Sequence, residues 1–247
     1  MEEIVKCIIL SHKRANNVRT HRSVANCAVC VPESQKEEYE KYNDIEIITH
    51  PDTVIGYSAK VKWIYDKYPN VFMLDDDLDY LLRLYDEDQE SHVNPEIAYQ
   101  LIQSNANTCK QLGVNFFGFG KMNKPLMYTG IRPLELTGFV IGGQFGFLEG
   151  FKIEEMPDSV IGSTDYFLSG LNAYHNRKSF IDNRFAFCSK QGTFKSEGGM
   201  SDIRDLETER EDLLYLKKKF GEAIVLKKGN HIRQLQHQYE RTLKIPF

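Results

Sequence analysis

The 247-residue chain contains no apolar run approaching the ~20 residues needed to cross a bilayer. Its longest uncharged stretch of note, residues 136–148, is shorter than that and rich in glycine. Cysteine is sparse and odd in number: Cys7, Cys27, Cys30, Cys109 and Cys188, with no signal-peptide pattern at the N-terminus. That excludes the disulfide framework of a small secreted domain and predicts a soluble, cytoplasmic protein. Proline is scarce and no Pro-, Ser- or Gly-rich tract marks a linker, so the chain reads as one domain without repeats. Positive charge is not in excess: 31 − 35 gives −4, which excludes a basic coat for nucleic acid. With 41% hydrophobic, 27% charged and 12% aromatic residues, the chain is neither disordered nor fibrous.

The charge is unevenly placed. Residues 213–247 carry eight Lys/Arg and two Glu, a balance of +6, so the first 212 carry 23 − 33 = −10. A basic end on an acidic body allows a local polyanion-binding face through Lys217, Lys218, Lys219, Lys227, Lys228 and Arg233. A solvated helix end would show the same run of lysines.

Short apolar segments at 4–10, 27–31, 46–49 and 71–74 read as strands. Between them, 32–42 and 56–68 have helical character; Tyr57, Val61, Ile64, Tyr65 and Tyr68 recur at helical spacing. Strands alternating with helices predict βαβ units and an α/β fold with a mixed, mainly parallel central sheet flanked by helices. The Cys27-Ala-Val-Cys30 motif falls inside the second strand and lacks the second cysteine pair of a zinc site. Further on, Asn94-Pro95 opens a helix to about residue 112. Residues 116–119, 137–147, 180–188 and 223–226 read as strands, 137–147 with glycine bulges. Ser163 is read as the cap of a helix over 164–175, and a last helix spans 205–220.

The sharpest feature is Val71-Phe72-Met73-Leu74 running into Asp75-Asp76-Asp77. Three adjacent carboxylates repel one another unless a cation compensates them. Open α/β sheets bind ligands at the carboxyl ends of their strands. Carboxylates two apart at such an end can hold a hard divalent ion, which in turn holds phosphate oxygens. Asp75 and Asp77 are therefore candidate metal ligands. An acidic loop or helix start is the plain alternative.

With a polar Ser11-His12-Lys13-Arg14 exit from the first strand and a Lys60-bearing helix, this pattern resembles the GT-A glycosyltransferases. Thr164-Asp165 at a helix start, Gly198-Gly199-Met200-Ser201 and Arg204 narrow the resemblance to the glycosyltransferases associated with TET/JBP oxygenases, similar to the base J glucosyltransferase. Phage members of that family glycosylate 5-hydroxymethylpyrimidines in DNA. The resemblance implies a nucleotide-binding half, 1–90, and an acceptor half, 91–247. It implies a UDP-sugar donor and Mn²⁺ or Mg²⁺ on Asp75 and Asp77, with His231 as a late third ligand. Asp165 is the implied catalytic base. Ser11, Lys13, Arg14, Lys60, Asp76, Gly143, Gln144, Gly198, Gly199 and Arg204 are the implied nucleotide-sugar contacts, and Lys227, Lys228 and Arg233 the DNA contacts. In one respect the chain departs from the pattern: Thr164-Asp165 stands where inverting GT-A enzymes often carry Glu-Asp.

Three functions remain open from the sequence. The chain is a sugar transferase acting on hydroxymethylated DNA, the same machinery acting on a small molecule, glycan or protein, or a silent DNA-binding protein with a structural acidic cluster.

Overall fold

The alternation of apolar runs and amphipathic segments builds a layered α/β structure. A computed structural model describes residues 2–85, 92–154, 162–189, 205–229, 235 and 237–245. In the first part, strands β1 (Lys6–Leu10), β2 (Cys27–Pro32), β3 (Glu46–His50) and β4 (Val71–Asp75) alternate with helices α1 (Lys36–Tyr42) and α2 (Tyr57–Lys67). Next come β5 (Tyr80–Arg83), β6 (His92–Val93), α3 (Pro95–Leu112), β7 (Phe116–Phe119), β8 (Leu134–Glu135) and β9 (Gln144–Phe147). The chain continues through α4 (Thr164–His175), β10 (Phe180–Asp182), β11 (Phe185–Cys188), α5 (Leu206–Phe220), β12 (Ile224–Leu226) and β13 (Arg241–Leu243).

Eight strands form the central sheet in the order β3-β2-β1-β4-β9-β7-β10-β8. β3, β2, β1 and β4 run parallel; β9 is antiparallel to both β4 and β7, which returns β7 and β10 to the direction of β4. A smaller sheet, β11-β5-β6, and the β12–β13 hairpin complete the strands among the described residues. From β1 the chain winds outward to β2 and β3, then crosses back to β4 on the other side of β1. The strand order therefore reverses between β1 and β4, where such sheets open a ligand crevice at their carboxyl edge.

Side chains alternate between two apolar layers, as the two-residue period of a strand requires. Cys7 and Ile9 of β1 pack with Ala98, Ile102 and Cys109 of α3; Ile8 and Leu10 pack with Val61 and Ile64 of α2 and Leu168 of α4. Cys27 and Cys30, an odd number of residues apart, fall in opposite layers, buried and unbridged. They cannot share a disulfide or a metal. On the outer side of α4, Phe167 and Leu171 pack with Leu213 and Leu216 of α5 and Ile224 of β12.

Three readings of the sequence need correction. Only Gln144–Phe147 of the 137–147 segment is strand, because Gly138 and Gly143 take positive φ values of 133° and 79° that end an extended run. Residues 180–188 form two strands in different sheets, broken where Asp182 accepts the Arg184 backbone N–H and guanidinium. Ser163 precedes α4 but makes no side-chain cap. None of the described helices is long and apolar enough to cross a membrane.

Candidate active site

β4 delivers its carboxylates where β1 and β4 lie side by side, with Leu10 paired to Asp75. The three aspartates take different environments. Asp76 is buried and compensated: it accepts from Ser11 Oγ at 2.5 Å and pairs with Arg14 Nη1 at 3.0 Å. Ser11 also meets the Tyr39 hydroxyl at 2.6 Å, and buried Lys60 donates from Nζ to the Ser11 carbonyl at 2.7 Å. Burial lowers the Lys60 ammonium to about 8. Ser11, Arg14, Lys60 and Asp76 are thus brought together, as a buried network that fixes the β1 exit loop. Lys13 in that loop is exposed at φ 54°, a left-handed conformation that lysine seldom adopts, with its N–H bonded to Gln35 Oε1 at 2.9 Å.

Asp75 and Asp77 are half-buried. Asp75 accepts from the Tyr57 hydroxyl at 3.2 Å, and its backbone N–H donates to the Gly143 carbonyl at 2.9 Å. Burial, then the neighbouring Asp77 and Asp76, push the Asp75 carboxyl up to about 7. The same causes, burial and Asp76, raise Asp77. Arg19 and Thr20 hold the turn itself: Arg19 Nη2 donates to the Asp77 carbonyl at 3.1 Å and Nη1 pairs with Asp79 at 3.2 Å, while Thr20 Oγ1 donates to the Asp75 carbonyl at 2.6 Å. Counting Asp75, Asp76, Asp77, Asp79 and Asp165 against Arg14, Arg19 and Lys60 leaves 3 − 5 = −2.

Asp165 reaches the same place from the second half of the chain. It lies in the first turn of α4, with Oδ1 accepting the Tyr166 N–H at 2.9 Å and Oδ2 the Gly142 N–H at 3.2 Å. Behind it the helix start is anchored on both sides. Ser58 and Thr164 hydroxyls meet at 2.8 Å, Asp212 accepts the Gly162 N–H at 2.9 Å, and the Arg241 guanidinium takes the Ser163 hydroxyl. The Ser163 hydroxyl thus meets Arg241 and makes no bond to the α4 backbone.

Gly142 and Gly143 therefore stand between the two carboxylates. A Cβ on Gly142 would lie 3.3 Å from the Asp165 carboxyl, and one on Gly143 only 2.6 Å from Asp75 Oδ2. At Gly143 a positive φ adds conformational strain. Gly143→Ala is accordingly expected to cost about 1 kcal/mol or more of stability. It should also lower transfer on the order of 10²-fold by displacing Asp75; thermal melts with turnover measurements check both effects.

Gln144, read from the resemblance as a sugar contact, is turned into the sheet instead. Its Oε1 accepts the Phe119 N–H at 2.9 Å and its Nε2 donates to the Phe119 carbonyl at 3.2 Å, bridging β9 and β7. Lys227 pairs with Glu240 at 3.6 Å on the β12–β13 hairpin, and Lys228 is exposed. Gly198, Gly199, Arg204, His231 and Arg233 lie outside the described residues. Among the described residues, no group of three or more His, Cys, Asp or Glu is arranged to hold a metal ion. Tyr57, Arg19 and Thr20 went unread as site residues. Tyr57 sits in an ordinary apolar helical pattern and the other two in a polar exit segment, so only the fold reveals their partners.

The acidic cluster thus stands at the switch point of a mainly parallel sheet, the place where open α/β sheets bind their ligands. The model of the TET-associated glycosyltransferase family matches residues 5–128, half of the chain. The chain belongs to that family and is a glycosyltransferase. The matched stretch contains Ser11, Lys60 and Asp75–Asp77; Gly142, Gly143 and Asp165 lie beyond it. No curated protein matches the chain significantly. Among solved structures it is similar to a CMP:2-keto-3-deoxy-manno-octonic acid synthetase complexed with CTP, at 9% identity and a TM-score of 0.42. That similarity covers 76% of this chain and 92% of the other.

Proposed function

We propose that this glycosyltransferase moves a sugar from a UDP-sugar to the hydroxymethyl group of 5-hydroxymethylcytosine or 5-hydroxymethyluracil in DNA. The observation that carries the proposal is the Gly142-Gly143 bridge, which brings Asp165 of the second half to the Asp75 carboxylate of the first. The family membership supports the chemistry; the DNA acceptor comes from the resemblance of the sequence to the base J glucosyltransferase.

The residues present fit a divalent ion. Asp76 is already compensated by Ser11 and Arg14, whereas the Asp75 and Asp77 carboxyls are raised by burial and by neighbouring aspartates, Asp77 and Asp76 for the first and Asp76 for the second. Two protein carboxylates suit Mg²⁺ or Mn²⁺ of the kind that completes its shell with water and substrate phosphates. When bound, the ion would neutralise charge developing on the departing diphosphate.

The chain's own residues do the rest. The Ser11–Asp76–Arg14 network fixes the β1 exit loop for the nucleotide, with Lys13 available at its surface. As the acceptor oxygen attacks the anomeric carbon, its proton passes to the Asp165 carboxylate; the bond to UDP breaks with its electron pair on the diphosphate. Gly198, Gly199 and Arg204 are proposed to close over the donor, and His231 to join the metal. Lys227, Lys228 and Arg233 are proposed to meet DNA phosphates. Neutralising these three together should raise the KM for DNA and flatten its salt dependence, at about 0.9 of log–log slope per lost duplex contact. Unchanged affinity and slope would leave that segment a solvated surface. Calorimetry of UDP with and without Mn²⁺ tests the donor side, where tight binding should require the ion.

A further inference from the structure

The chain between β7 and β8 leaves the same carboxyl edge of the sheet as the aspartates. Gln144 pairs with Leu74 on one side and holds Phe119 on the other, so Asp75, Gly143 and Gly120 follow in line across β4, β9 and β7. At about 4.8 Å per strand, Gly120 lies roughly 10 Å from Asp75 along the same edge of the sheet. Beyond Gly120 a cavity of about 360 Å³ is lined by Lys121, Met122, Met127, Tyr128, Ile131 and Arg132, among others. This is the lower range of small-ligand pockets.

Two properties of this surface define its occupant. It is unusually apolar for exposed structure: Leu126 is 87% exposed, Ile131 80% and Met127 55%. It is also basic within an acidic molecule. Residues 121–136 hold Lys121, Lys124 and Arg132, all exposed, against Glu135, giving 3 − 1 = +2 in a chain of net −4. Apolar side chains beside an aromatic ring, rimmed by cations, suit a nucleobase on a phosphate backbone.

We infer that this pocket receives the target base of the acceptor, drawn from a single-stranded or locally opened strand whose phosphates meet Lys121, Lys124 and Arg132. The inference deepens the DNA-acceptor reading and rests on it. A base taken out of its stack can enter a cavity of this size and carry its hydroxymethyl group toward the carboxylates, whereas a base held in the duplex cannot enter it.

Anisotropy of a fluorescent single-stranded DNA oligonucleotide over a salt series tests the assignment. The triple change Lys121→Ala, Lys124→Ala and Arg132→Ala should weaken binding and reduce the log–log salt slope by about 2, at about 0.7 per contact. Tyr128→Ala should weaken binding about tenfold with the slope unchanged, because stacking carries no counterion release. Thermal melts identify any variant that has lost its fold, and Tyr128→Phe, which keeps the ring, should restore the affinity. If the parent glycosylates hydroxymethylated DNA but the variants bind the strand as it does, the pocket assignment fails while the acceptor reading stands. If the parent neither binds nor glycosylates DNA, both fail. Adsorption of the parent to anionic phospholipid vesicles through these cations, without DNA binding, would assign the surface to a membrane and overturn the inference.

Discussion

Replacing Asp77 with alanine is expected to lower sugar transfer on the order of 10³-fold while leaving the protein folded. The loss follows from removing one of two carboxylates whose charge Arg14 and Arg19 offset only in part. Asp77 is raised by burial and by Asp76, so its removal relieves repulsion in the metal-free protein. The variant should melt no lower than the parent without metal, and should lose the parent's stabilisation by Mn²⁺. A surface aspartate with a purely structural role would show the reverse: activity kept, stability altered. Near-normal turnover in Mn²⁺ or Mg²⁺ would withdraw the metal role from Asp77.

Asp75 extends the same point to pH. Its carboxyl is held at about 7 in the fold, above the ordinary 3.8 of an aspartate. A raised carboxyl favours the fold while protonated, and that contribution disappears as pH rises through the folded value. The metal-free protein should therefore lose melting temperature between about pH 4 and pH 7, from the unfolded value to the folded one. Asp75→Asn should flatten that slope, and saturating Mn²⁺ should offset it.

Asp165→Asn should bind UDP-sugar as the parent does and lose about 10²- to 10⁴-fold in transfer rate. Asparagine is nearly isosteric, and its one acceptor oxygen can keep one of the two N–H contacts that the Asp165 carboxylate makes to Gly142 and Tyr166; the Ser58–Thr164 and Arg241–Ser163 bonds still anchor the α4 start. What disappears is the ability to take a proton. An unchanged kcat would move the base to another carboxylate; Asp76, already committed to Ser11 and Arg14, is poorly placed to replace it.

The parts of this arrangement that were legible in the sequence are the local ones. Val71 to Leu74 read as a strand because four apolar residues stop abruptly at three aspartates, and the strand ends at Asp75. α3 read correctly because Asn94 and Pro95 are a chemical start signal; the Asn94 carboxamide accepts the Glu96 N–H at 2.9 Å. What stayed illegible was non-local. β5 sits beside the acidic cluster and is defined by β11, about a hundred residues later in the chain, which pairs Tyr80 with Cys188. The Ser11–Asp76 and Gly142–Asp165 contacts join residues far apart in sequence, so spacing carries no trace of them. Residues 137–143 have the apolar, glycine-rich texture of a bulged strand. Their glycines instead turn the backbone between two carboxylates.

The central claim is that the Asp75/Asp77 site and Asp165 together move a sugar onto hydroxymethylated DNA, and the mass of the product tests it most directly. The protein would be incubated with Mn²⁺, a panel of UDP-sugars and DNA containing 5-hydroxymethylcytosine or 5-hydroxymethyluracil, and the DNA then digested to nucleosides. The account predicts a hydroxymethylated nucleoside heavier by one sugar residue, formed by the parent and not by Asp77→Ala or Asp165→Asn. UDP-sugar consumed in the presence of DNA whose nucleosides all keep their mass would contradict it.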